Sequence, residues 1–269
     1  MDERFARKLI ELDNRFYEEH AASFSSTRSA PWQGWEQVLR IVEETGALDR
    51  PTGDSLRLLD VACGNLRFER FCSERLRDLC GSSLEMYAID SCPALAVSGA
   101  TAASAPAPNV HVKRADILAD LLDDTDPLCG LPRADVVVCF GFMHHVPSFG
   151  LRQTLMHRLI DAARPDGAVA ISFWQFMDDP RLAGKALEAR LRAKRHPPYP
   201  DFDASQLEAG DQLLGWQDDP TAFRYCHHFT ECEIDALAAS TGAGAREIAR
   251  FSADGGSGKL NRYLILRPR

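Results

Sequence analysis

The sequence predicts an α/β fold in which helices cover both faces of a mostly parallel sheet. Strand-like apolar runs alternate with segments of helical periodicity, and this alternation requires right-handed crossovers. The end of the chain breaks the rhythm, because "GAREIARFSA" (244–253) and "LNRYLILRPR" (260–269) are both strand-like and flank the flexible turn "DGGSGK" (254–259). An antiparallel strand pair is therefore expected to close the sheet.

Each element is predicted from its own pattern. Phe5, Leu9, Leu12 and Phe16 share one face of an N-terminal helix. A second helix is predicted from Gly34 to Glu44. The strands that follow are predicted at "SLRLLDVA" (55–62), "SLEMYAID" (83–90), "NVHVKRADI" (109–117), "ADVVVCFGFMHHV" (134–146) and "AVAISFWQF" (168–176).

The connections between these strands are predicted to be mainly helical. Helices are expected from Arg67 to Asp78, after Pro93, and through Leu151, Leu155, Leu159 and Ala163. The stretch "TAASAPAPN" (101–109) is predicted to be a loop. Between Asp178 and Phe223 we find no strand signal.

Composition restricts the class of protein. The 269 residues are 45% hydrophobic and 26% charged, which is typical of a globular chain. The formal charge of −8 argues against strong unaided binding to nucleic acid, although a local basic patch is compatible with it. Eight cysteines without a Cys-x-x-Cys pair predict neither a zinc ribbon nor a redox dithiol, and they favour a reducing, cytoplasmic location. No secretory signal or membrane span is predicted.

The stretch "LLDVACGNLRF" (58–68) is a strand that runs through a tight turn into a helix. Ligands of open α/β sheets bind at such strand ends. The turn lacks G-x-G-x-x-G, and Ala62 and Leu66 would crowd a pyrophosphate, so a dinucleotide is disfavoured. A ligand that carries an amino acid and an adenosine is less demanding. Asp60 is expected to face its ammonium group and the Gly64 turn its carboxylate.

Two further acids follow the next strands. Asp90 ends the second strand, where a carboxylate can accept hydrogen bonds from both ribose hydroxyls. Asp116 and Ile117 follow the third strand and suit an adenine amine and ring face. Any one of these acids, taken alone, is equally explained as a helix cap or turn residue. The ordered set favours a ligand site.

The order "LDVACGN…YAID…ADIL…DVVVCFGFMHHV…RPDGAVAISFW" resembles the class I S-adenosylmethionine-dependent methyltransferases over roughly residues 55–175. That family implies a Rossmann-like fold with a seven-stranded sheet and S-adenosyl-L-methionine as cofactor. It usually has glycine where Ala62 and Leu66 stand. The cofactor contacts that the resemblance and the strand ends imply are Asp60, Ala62, Cys63, Gly64, Asn65, Asp90, Ser91, Asp116, Ile117 and Phe140.

Two flanking segments are similar to the wobble-uridine tRNA methyltransferases, including the methyltransferase domain of the AlkB-type tRNA hydroxylase. They are "FYEEHAASFSSTRSAPWQGW" (16–35) and "GDQLLGWQDDPTAFRYCHHF" (210–229), in which Cys226 replaces a tyrosine and Gly215 a proline. The resemblance implies esterification of a carboxymethyl group on uridine. It also implies tRNA and a small zinc-ribbon activator protein, paired along the sheet, as partners. The implied substrate contacts are Trp32, Asp211, Trp216 and Tyr225.

Four parts of the chain follow from this interpretation. Residues 1–50 are predicted to be an N-terminal helical cap and residues 51–177 the cofactor-binding core. Residues 178–222 are predicted to form an insert at the substrate site, and residues 223–269 to complete the sheet.

The candidate catalytic residues suit a carboxylate acceptor. An ionised carboxylate needs no general base, so the site has only to orient it and exclude water. A guanidinium and aromatic walls serve that purpose. The candidates are Arg28, His145, Trp174, Arg224 and His227.

Structural explanations for these residues remain open. Arg28 also suits a surface ion pair, and Trp174 and Trp216 also suit a hydrophobic core. His227 also suits a helix cap, although Thr230 is the better candidate for that position. No metal is predicted, because His144 and His145 are expected to alternate on a strand and to point in opposite directions.

The segment "RLAGKALEARLRAKRH" (181–196) has helical spacing and a strongly basic composition. It is expected to flank the mouth of the site and to contact tRNA phosphates, although it also suits a solvated face. Two rival functions remain. One is a small-molecule O- or N-methyltransferase, and the other is a non-catalytic RNA- or protein-binding module on the same fold.

Overall fold

The computed structural model describes residues 1–49, 54–76, 84–95, 109–217 and 219–269. All but the last residue of the predicted loop 101–109 lies outside the described residues. So do the end of the helix predicted to reach Asp78 and most of the helix predicted after Pro93. In the described parts of the chain, no helix is both long enough and apolar enough to span a bilayer.

Most helices begin and end close to their predicted positions, but the helix Ile117–Leu122 was not predicted, and it begins at a residue that the prediction placed in a strand. In chain order they are α1 (Glu3–Ser26), α2 (Gln33–Glu44), α3 (Arg67–Arg75), α4 (Ile117–Leu122), α5 (Phe149–Ala162), α6 (Pro180–Arg195) and α7 (Glu231–Ser240). Capping side chains explain two of the starts. Asp2 accepts a hydrogen bond from the Phe5 N–H at 2.7 Å, and Asp179 caps α6 immediately before Pro180.

Among the described residues, nine strands form two sheets. The strands are β1 (Leu56–Val61), β2 (Leu84–Asp90), β3 (Val110–Arg114), β4 (Ala134–Cys139), β5 (Ala163–Trp174), β6 (Asp211–Trp216), β7 (Asp219–His227), β8 (Ala245–Ala253) and β9 (Asn261–Pro268). Seven of them form one sheet in the order β3-β2-β1-β4-β5-β9-β8. Its first five strands are parallel, and β9 is antiparallel to both β5 and β8. This confirms the predicted Rossmann-like fold with an antiparallel C-terminal pair.

Both faces of the large sheet are buried. One apolar layer packs under α4, α5 and α7, and the other packs under α2 and α3. Every residue of β4 is buried, as expected for the middle of a sheet covered on both sides. The strand order reverses between β1 and β4, and a crevice forms at their carboxyl ends.

Two sequence predictions about strands were wrong. The apolar run at 134–146 is a strand only as far as Cys139, and Met143–His145 form a 3₁₀ turn beyond it. The region after Asp178 contains β6 and the start of β7, which pair as a separate antiparallel hairpin. β6 was not predicted because it is only six residues long and contains polar Asp211 and Gln212 and the glycine Gly215, which leave a short apolar run.

Candidate active site

A cavity of 410 Å³ lies at the carboxyl ends of β1, β2 and β4. Helix α1 closes one side of it with Asp13, Tyr17 and Phe24. Asp254 and Leu260, at the turn between β8 and β9, close another side. The cavity is therefore built from the sheet edge, the N-terminal helix and the C-terminal hairpin together.

The loop after β1 keeps a glycine-like backbone at positions that are not glycine. The φ angles of Ala62, Gly64 and Leu66 are +66°, +56° and +58°, all in the left-handed region. This conformation costs a non-glycine residue about 1–2 kcal/mol. Ala62 and Leu66 are the positions where the resemblance predicts glycine. The sequence departs from the family pattern there, while the loop retains the conformation that favours glycine.

Asp90 connects this loop to the end of β2. Its Oδ2 accepts the Gly64 N–H at 2.8 Å, and its Oδ1 accepts the Cys92 N–H at 2.8 Å. A carboxylate has about four acceptor positions, so acceptor capacity remains for a ligand. Burial raises the pKa of Asp90, although these backbone hydrogen bonds oppose the shift. Asp90 lines the cavity, in a position suited to a pair of hydroxyls.

Nine of the ten predicted cofactor residues line the cavity. They are Ala62, Cys63, Gly64, Asn65, Asp90, Ser91, Asp116, Ile117 and Phe140. Asp60 does not line it, and the expectation that Asp60 faces the ligand was wrong. Asp60 is 3% exposed, and burial and the neighbouring Glu69 carboxyl raise its pKa well above the ordinary value. Burial also raises the pKa of Glu69, to about 7, so the protonated form of this acid is favoured beneath the loop.

Asp116 both caps a helix and faces the cavity. Its Oδ1 accepts the Ala119 N–H at the start of α4, at 3.1 Å. Its Oδ2 accepts a hydrogen bond from the side chain of Asn14 on α1, at 2.7 Å. The capping and the ligand-site explanations of this residue are thus compatible. Asn14 also lines the cavity and attaches α1 to it.

Aromatic rings form the wall opposite these acids. Trp32, Trp35 and Phe140 all line the cavity, and Trp35 stacks on Phe140 with ring centroids 6.1 Å apart. Gly141 follows directly with φ +69°, and a Cβ there would lie 2.9 Å from the Trp32 ring. Only glycine satisfies both conditions without a shift of Trp32.

Two guanidinium groups face the other end of the cavity. Arg28 lies with its Cζ 3.5 Å from the centre of the Phe24 ring, and Arg224 donates to the Tyr17 hydroxyl at 3.5 Å. Within the described residues, no ion pair joins either guanidinium to a carboxylate. Burial and the neighbouring charge of Arg224 lower the pKa of Arg28 to about 10. Both groups remain cationic at neutral pH and are available to an anionic ligand.

The aromatic candidates surround Arg224 at two depths. Trp174 lines the cavity, and its ring centre is 5.8 Å from the Arg224 Cζ. Trp216 lies behind the wall, 5.7 Å from the same atom, and its Nε1 donates to the Ser23 hydroxyl at 3.0 Å. Trp216 therefore supports the arginine rather than contacting a ligand in the cavity.

His144 and His145 lie side by side in the 3₁₀ turn, and both line the cavity. Their ring centres are 4.1 Å apart, so the expectation that they point in opposite directions was wrong. Burial lowers the pKa of His144 well below its ordinary value, and its Nδ1 has no partner among the described groups. His144, His145 and Cys226 place their ligand atoms within 4.8 Å of one another, a set that could hold a metal ion. Both nitrogens of His145 already have hydrogen-bond partners, so its ring has no free lone pair for a metal ion and we do not assign a metal site here.

Besides Asp60 and Trp216, three more predicted site residues lie outside the cavity wall, namely Asp211, Tyr225 and His227. The Asp211 carboxylate accepts hydrogen bonds at 2.7 Å from both the Tyr225 hydroxyl and the His227 Nδ1. His227 Nε2 lies 2.7 Å from Glu233 on α7. These buried groups fasten the β6–β7 hairpin to α7. The predicted substrate contacts of Asp211 and Tyr225 and the catalytic role of His227 are thus corrected to a structural role.

Several residues of α1 line the cavity wall although the sequence did not predict them as site residues. Asp13 and Tyr17 are four positions apart and share a helical face with Phe24, beside the apolar face that predicted the helix. A buried aspartate in the middle of this helix was the available signal, since an unpaired acid is costly there. No comparable pattern pointed to Gly141 or His144.

The basic helix α6 lies away from the cavity. Its inward face consists of Ala186, Ala189 and Ala193, which pack on the β6–β7 hairpin, and no residue of α6 lines the described cavity wall. Arg192 is half-buried, lies 4.4 Å above the Phe223 ring and donates to the Ala222 carbonyl at 3.2 Å. The exposed basic residues are Arg181, Lys185, Arg190, Lys194 and Arg195.

The fold and the cavity together define a Rossmann-like methyltransferase. A methyltransferase-domain family profile matches residues 24–243, which is most of the chain, so the chain belongs to the methyltransferase domain family. Its methyl donor is S-adenosylmethionine, and this assignment favours an enzyme over a non-catalytic binding module. The residues present fit this cofactor, since Asp90 keeps free acceptor positions beside the loop and the aromatic wall suits an adenine ring.

Solved structures similar to this chain have low sequence identity. One is a SAM-dependent methyltransferase from Methanosarcina mazei, with a TM-score of 0.56, 16% identity, and coverage of 80% of this chain and 93% of the other. A second is DhpI in complex with SAM and HEP, with a TM-score of 0.57, 16% identity, and coverage of 97% and 98%.

A third is CalS10, an amino pentose methyltransferase from Micromonospora echinaspora, with a TM-score of 0.52, 16% identity, and coverage of 93% and 96%. At this identity the likeness concerns the fold. No curated protein matches the chain.

Proposed function

We propose that this enzyme methylates a carboxymethyl-type carboxylate on the wobble uridine of tRNA. The observation that carries the proposal is the pair of guanidiniums, Arg28 and Arg224, which face the cavity without a carboxylate partner among the described residues. Placing two such cations in a buried site is costly unless an anion completes it. A carboxylate is the acceptor whose charge and planar shape match them.

Both segments that resemble the tRNA enzymes contribute to this end of the cavity. Tyr17, Phe24 and Arg28 come from the N-terminal segment, and Arg224 comes from the C-terminal one. Their contact through the Arg224–Tyr17 hydrogen bond supports a shared role in acceptor binding.

Methyl transfer to an ionised carboxylate needs no general base, so the protein has mainly to position the carboxylate. When bound, the cofactor supplies a methyl group on a sulfonium ion, which an ionised carboxylate attacks directly. Arg28 and Arg224 would orient that carboxylate, and Phe24 and Trp174 would exclude water from it. Stacking of both guanidiniums on aromatic rings keeps their donors in the fixed planar geometry that a carboxylate requires.

The exposed basic face of α6 is the surface that we propose for tRNA phosphates. Arg181, Lys185, Arg190, Lys194 and Arg195 are opposed by the single acid Glu188 on this helix. They provide local positive charge on a chain with a formal charge of −8. Because α6 packs on the hairpin that carries Arg224, tRNA bound there would lie on the acceptor side of the molecule.

An activator protein remains part of the proposal. β3 is an edge strand of the sheet formed by the described residues, and its Val112 is 51% exposed. An exposed edge strand offers backbone groups for pairing with a partner along the sheet. Activity of the purified chain alone, equal to that with a zinc-ribbon activator added, would remove this part of the proposal.

The test is transfer of labelled methyl from S-adenosylmethionine to bulk tRNA. We expect label in tRNA, located in a uridine nucleoside and released by mild alkali as methanol, since an ester hydrolyses there. Labelling of a small-molecule extract but not of tRNA would instead support the rival small-molecule enzyme. Arg224→Lys should reduce this labelling. Arg192→Lys is its control and should label tRNA as wild type does, because Arg192 stacks on an aromatic ring outside the cavity wall.

A further inference from the structure

A chain of hydrogen bonds runs from the cavity wall to a buried carboxylate. The Tyr17 hydroxyl lies 2.8 Å from His145 Nε2, and His145 Nδ1 lies 2.7 Å from Asp13 Oδ2. The other oxygen of Asp13 accepts the Tyr225 N–H at 2.6 Å. Tyr17, His145 and Asp13 all line the cavity.

The partners of His145 determine the direction of this chain. Nδ1 faces two acceptors, the Asp13 carboxylate and the Tyr225 carbonyl at 3.0 Å, so this nitrogen carries the proton. In the neutral ring Nε2 is then an acceptor, and Tyr17 donates its proton to it. Arg224 donates to the Tyr17 oxygen from the other side. The hydroxyl therefore keeps one lone pair for a ligand in the cavity and has a proton acceptor behind it, the His145 Nε2.

Ester formation makes no use of this arrangement, because a carboxylate carries no proton at neutral pH. A carboxylate–imidazole–hydroxyl chain is the arrangement by which proteins withdraw a proton from a reacting group. We propose that the Asp13–His145–Tyr17 chain accepts the proton of a hydroxyl acceptor, so that the same cavity also forms methyl ethers. This activity goes beyond the proposed function and does not depend on it.

The step balances as follows. The acceptor oxygen bonds to the methyl carbon, and the methyl–sulfur bond breaks with its electron pair left on sulfur. The acceptor proton moves to the Tyr17 oxygen while the Tyr17 proton moves to His145 Nε2. The resulting imidazolium is stabilised by the Asp13 carboxylate, and its proton leaves to solvent after product release. Burial raises the pKa of Tyr17, which is consistent with a hydroxyl that relays a proton and does not remain ionised.

A probe with two different ends tests this activity separately from the proposed one. 4-Hydroxyphenylacetate carries a carboxymethyl group and a phenol on one aromatic ring. Entry by the first end gives a methyl ester, which alkali hydrolyses, and entry by the second gives an alkali-stable methyl ether. With wild-type protein and labelled S-adenosylmethionine, we expect both products.

The variants are Tyr17→Phe and His145→Gln, and the measured quantity is the ratio of ether to ester. General bases contribute about 10²–10⁴-fold to rates, so we expect the ratio to fall by at least about 100-fold in both variants. Tyr87→Phe removes a hydroxyl on β2 that bonds to Glu85 and does not line the cavity, so it should leave the ratio unchanged. Absence of the ether at saturating probe, or an unchanged ratio in both variants, would overturn the inference. Ether without ester would contradict only the proposed function.

A second measurement needs neither cofactor nor turnover. In ¹⁵N-histidine-labelled protein, the spectrum of His145, assigned by its loss in His145→Gln, should show the Nδ1–H tautomer of the neutral ring. An Nε2–H tautomer could not accept a proton from Tyr17 and would also overturn the inference.

Discussion

At the scale of single residues, Asp90 and Arg224 lie in different parts of the cavity wall. Asp90 holds the loop after β1 through the Gly64 N–H, accepts the Cys92 N–H just after β2, and keeps acceptor capacity for a ligand. Arg224 is 6% exposed and is surrounded by aromatic rings. The first residue belongs to the cofactor end of the cavity and the second to the acceptor end, so their substitutions should affect different measurements.

For Asp90→Ala we expect weaker cofactor binding. The loss of two hydrogen bonds to a charged acceptor corresponds to roughly 2–4 kcal/mol, or about a 30- to 1,000-fold rise in the dissociation constant. The check is calorimetric titration with S-adenosylmethionine. Asp161→Ala, on an exposed part of α5, serves as the control. Unchanged affinity in Asp90→Ala would contradict the role given to Asp90.

For Arg224→Lys we expect slower turnover with cofactor affinity nearly intact. Lysine keeps the charge but lacks the planar fork that orients a carboxylate and stacks on the rings. Turnover should fall on the order of 10²-fold, consistent with loss of precise positioning. Arg192→Lys loses a similar stacking contact outside the cavity wall and should retain turnover. Equal losses of turnover and affinity in Arg224→Lys would show that the arginine is structural.

At the scale of elements, the contact between β1 and α3 buries two acids. Asp60 lies on β1 and Glu69 on α3, and burial raises the pKa of each. A folded-state pKa raised to about 7 means that the folded protein binds this proton more tightly than the unfolded chain does. The stability contributed by protonated Glu69 is therefore present below the ordinary pKa of a glutamic acid and is lost as the pH rises through 7.

Glu69→Gln should remove that pH dependence. Wild type should lose on the order of 2 kcal/mol of unfolding free energy between pH 5 and pH 8, and the variant should lose much less. Urea denaturation at the two pH values measures the difference. Glu43→Gln, at an exposed position on α2, is the matched control. If Glu69→Gln has the same pH slope as wild type, the buried pair does not titrate in this range.

The exposed basic residues of α6 are expected to set the salt dependence of tRNA binding. Lys185, Arg190 and Lys194 are exposed, whereas Arg192 packs on Phe223 and would report on folding instead. Reversing these three exposed residues to Glu should flatten the slope of log affinity against log salt by about two units, since each phosphate contact contributes roughly 0.7–0.9. Filter binding of tRNA over a range of salt concentrations measures the slope.

A second triple reversal provides the control. Arg40→Glu, Arg133→Glu and Arg246→Glu make the same change in net charge at exposed positions outside α6. Equal flattening in both triple variants would show a general charge effect, and an unchanged slope in the α6 variant would place the RNA surface elsewhere.

At the scale of the whole molecule, the sequence predicted the sheet and one end of the cavity. The alternation of periodicities and the positions of Asp90 and Asp116 were sufficient, because the carboxyl ends of parallel strands meet at one edge. Asp60 was placed wrongly, because adjacent strand residues face opposite sides and a single sequence does not show which of them meets a ligand. The resemblance explained Arg28 and Arg224 but also suggested Asp211, Tyr225 and His227, which hold the hairpin.

The remaining residues depend on long-range packing. Asp13 and Tyr17 reach the cavity only because α1 crosses the strand ends, more than a hundred residues before their partner His145. Local periodicity carries no information about such a crossing. The division of the chain at residues 50, 177 and 222 remains a prediction, although the cavity draws residues from the first, second and last of these parts.

The identity of the methylated group tests the central claim most directly. After reaction with purified enzyme and S-adenosylmethionine, tRNA is digested and its nucleosides are analysed by mass spectrometry, with and without mild alkali. We predict one modified uridine that gains the mass of a methylene and loses it on alkaline treatment. An alkali-stable methyl group as the only product, or no methylated nucleoside at all, would contradict a carboxylate of tRNA as the acceptor held by Arg28 and Arg224.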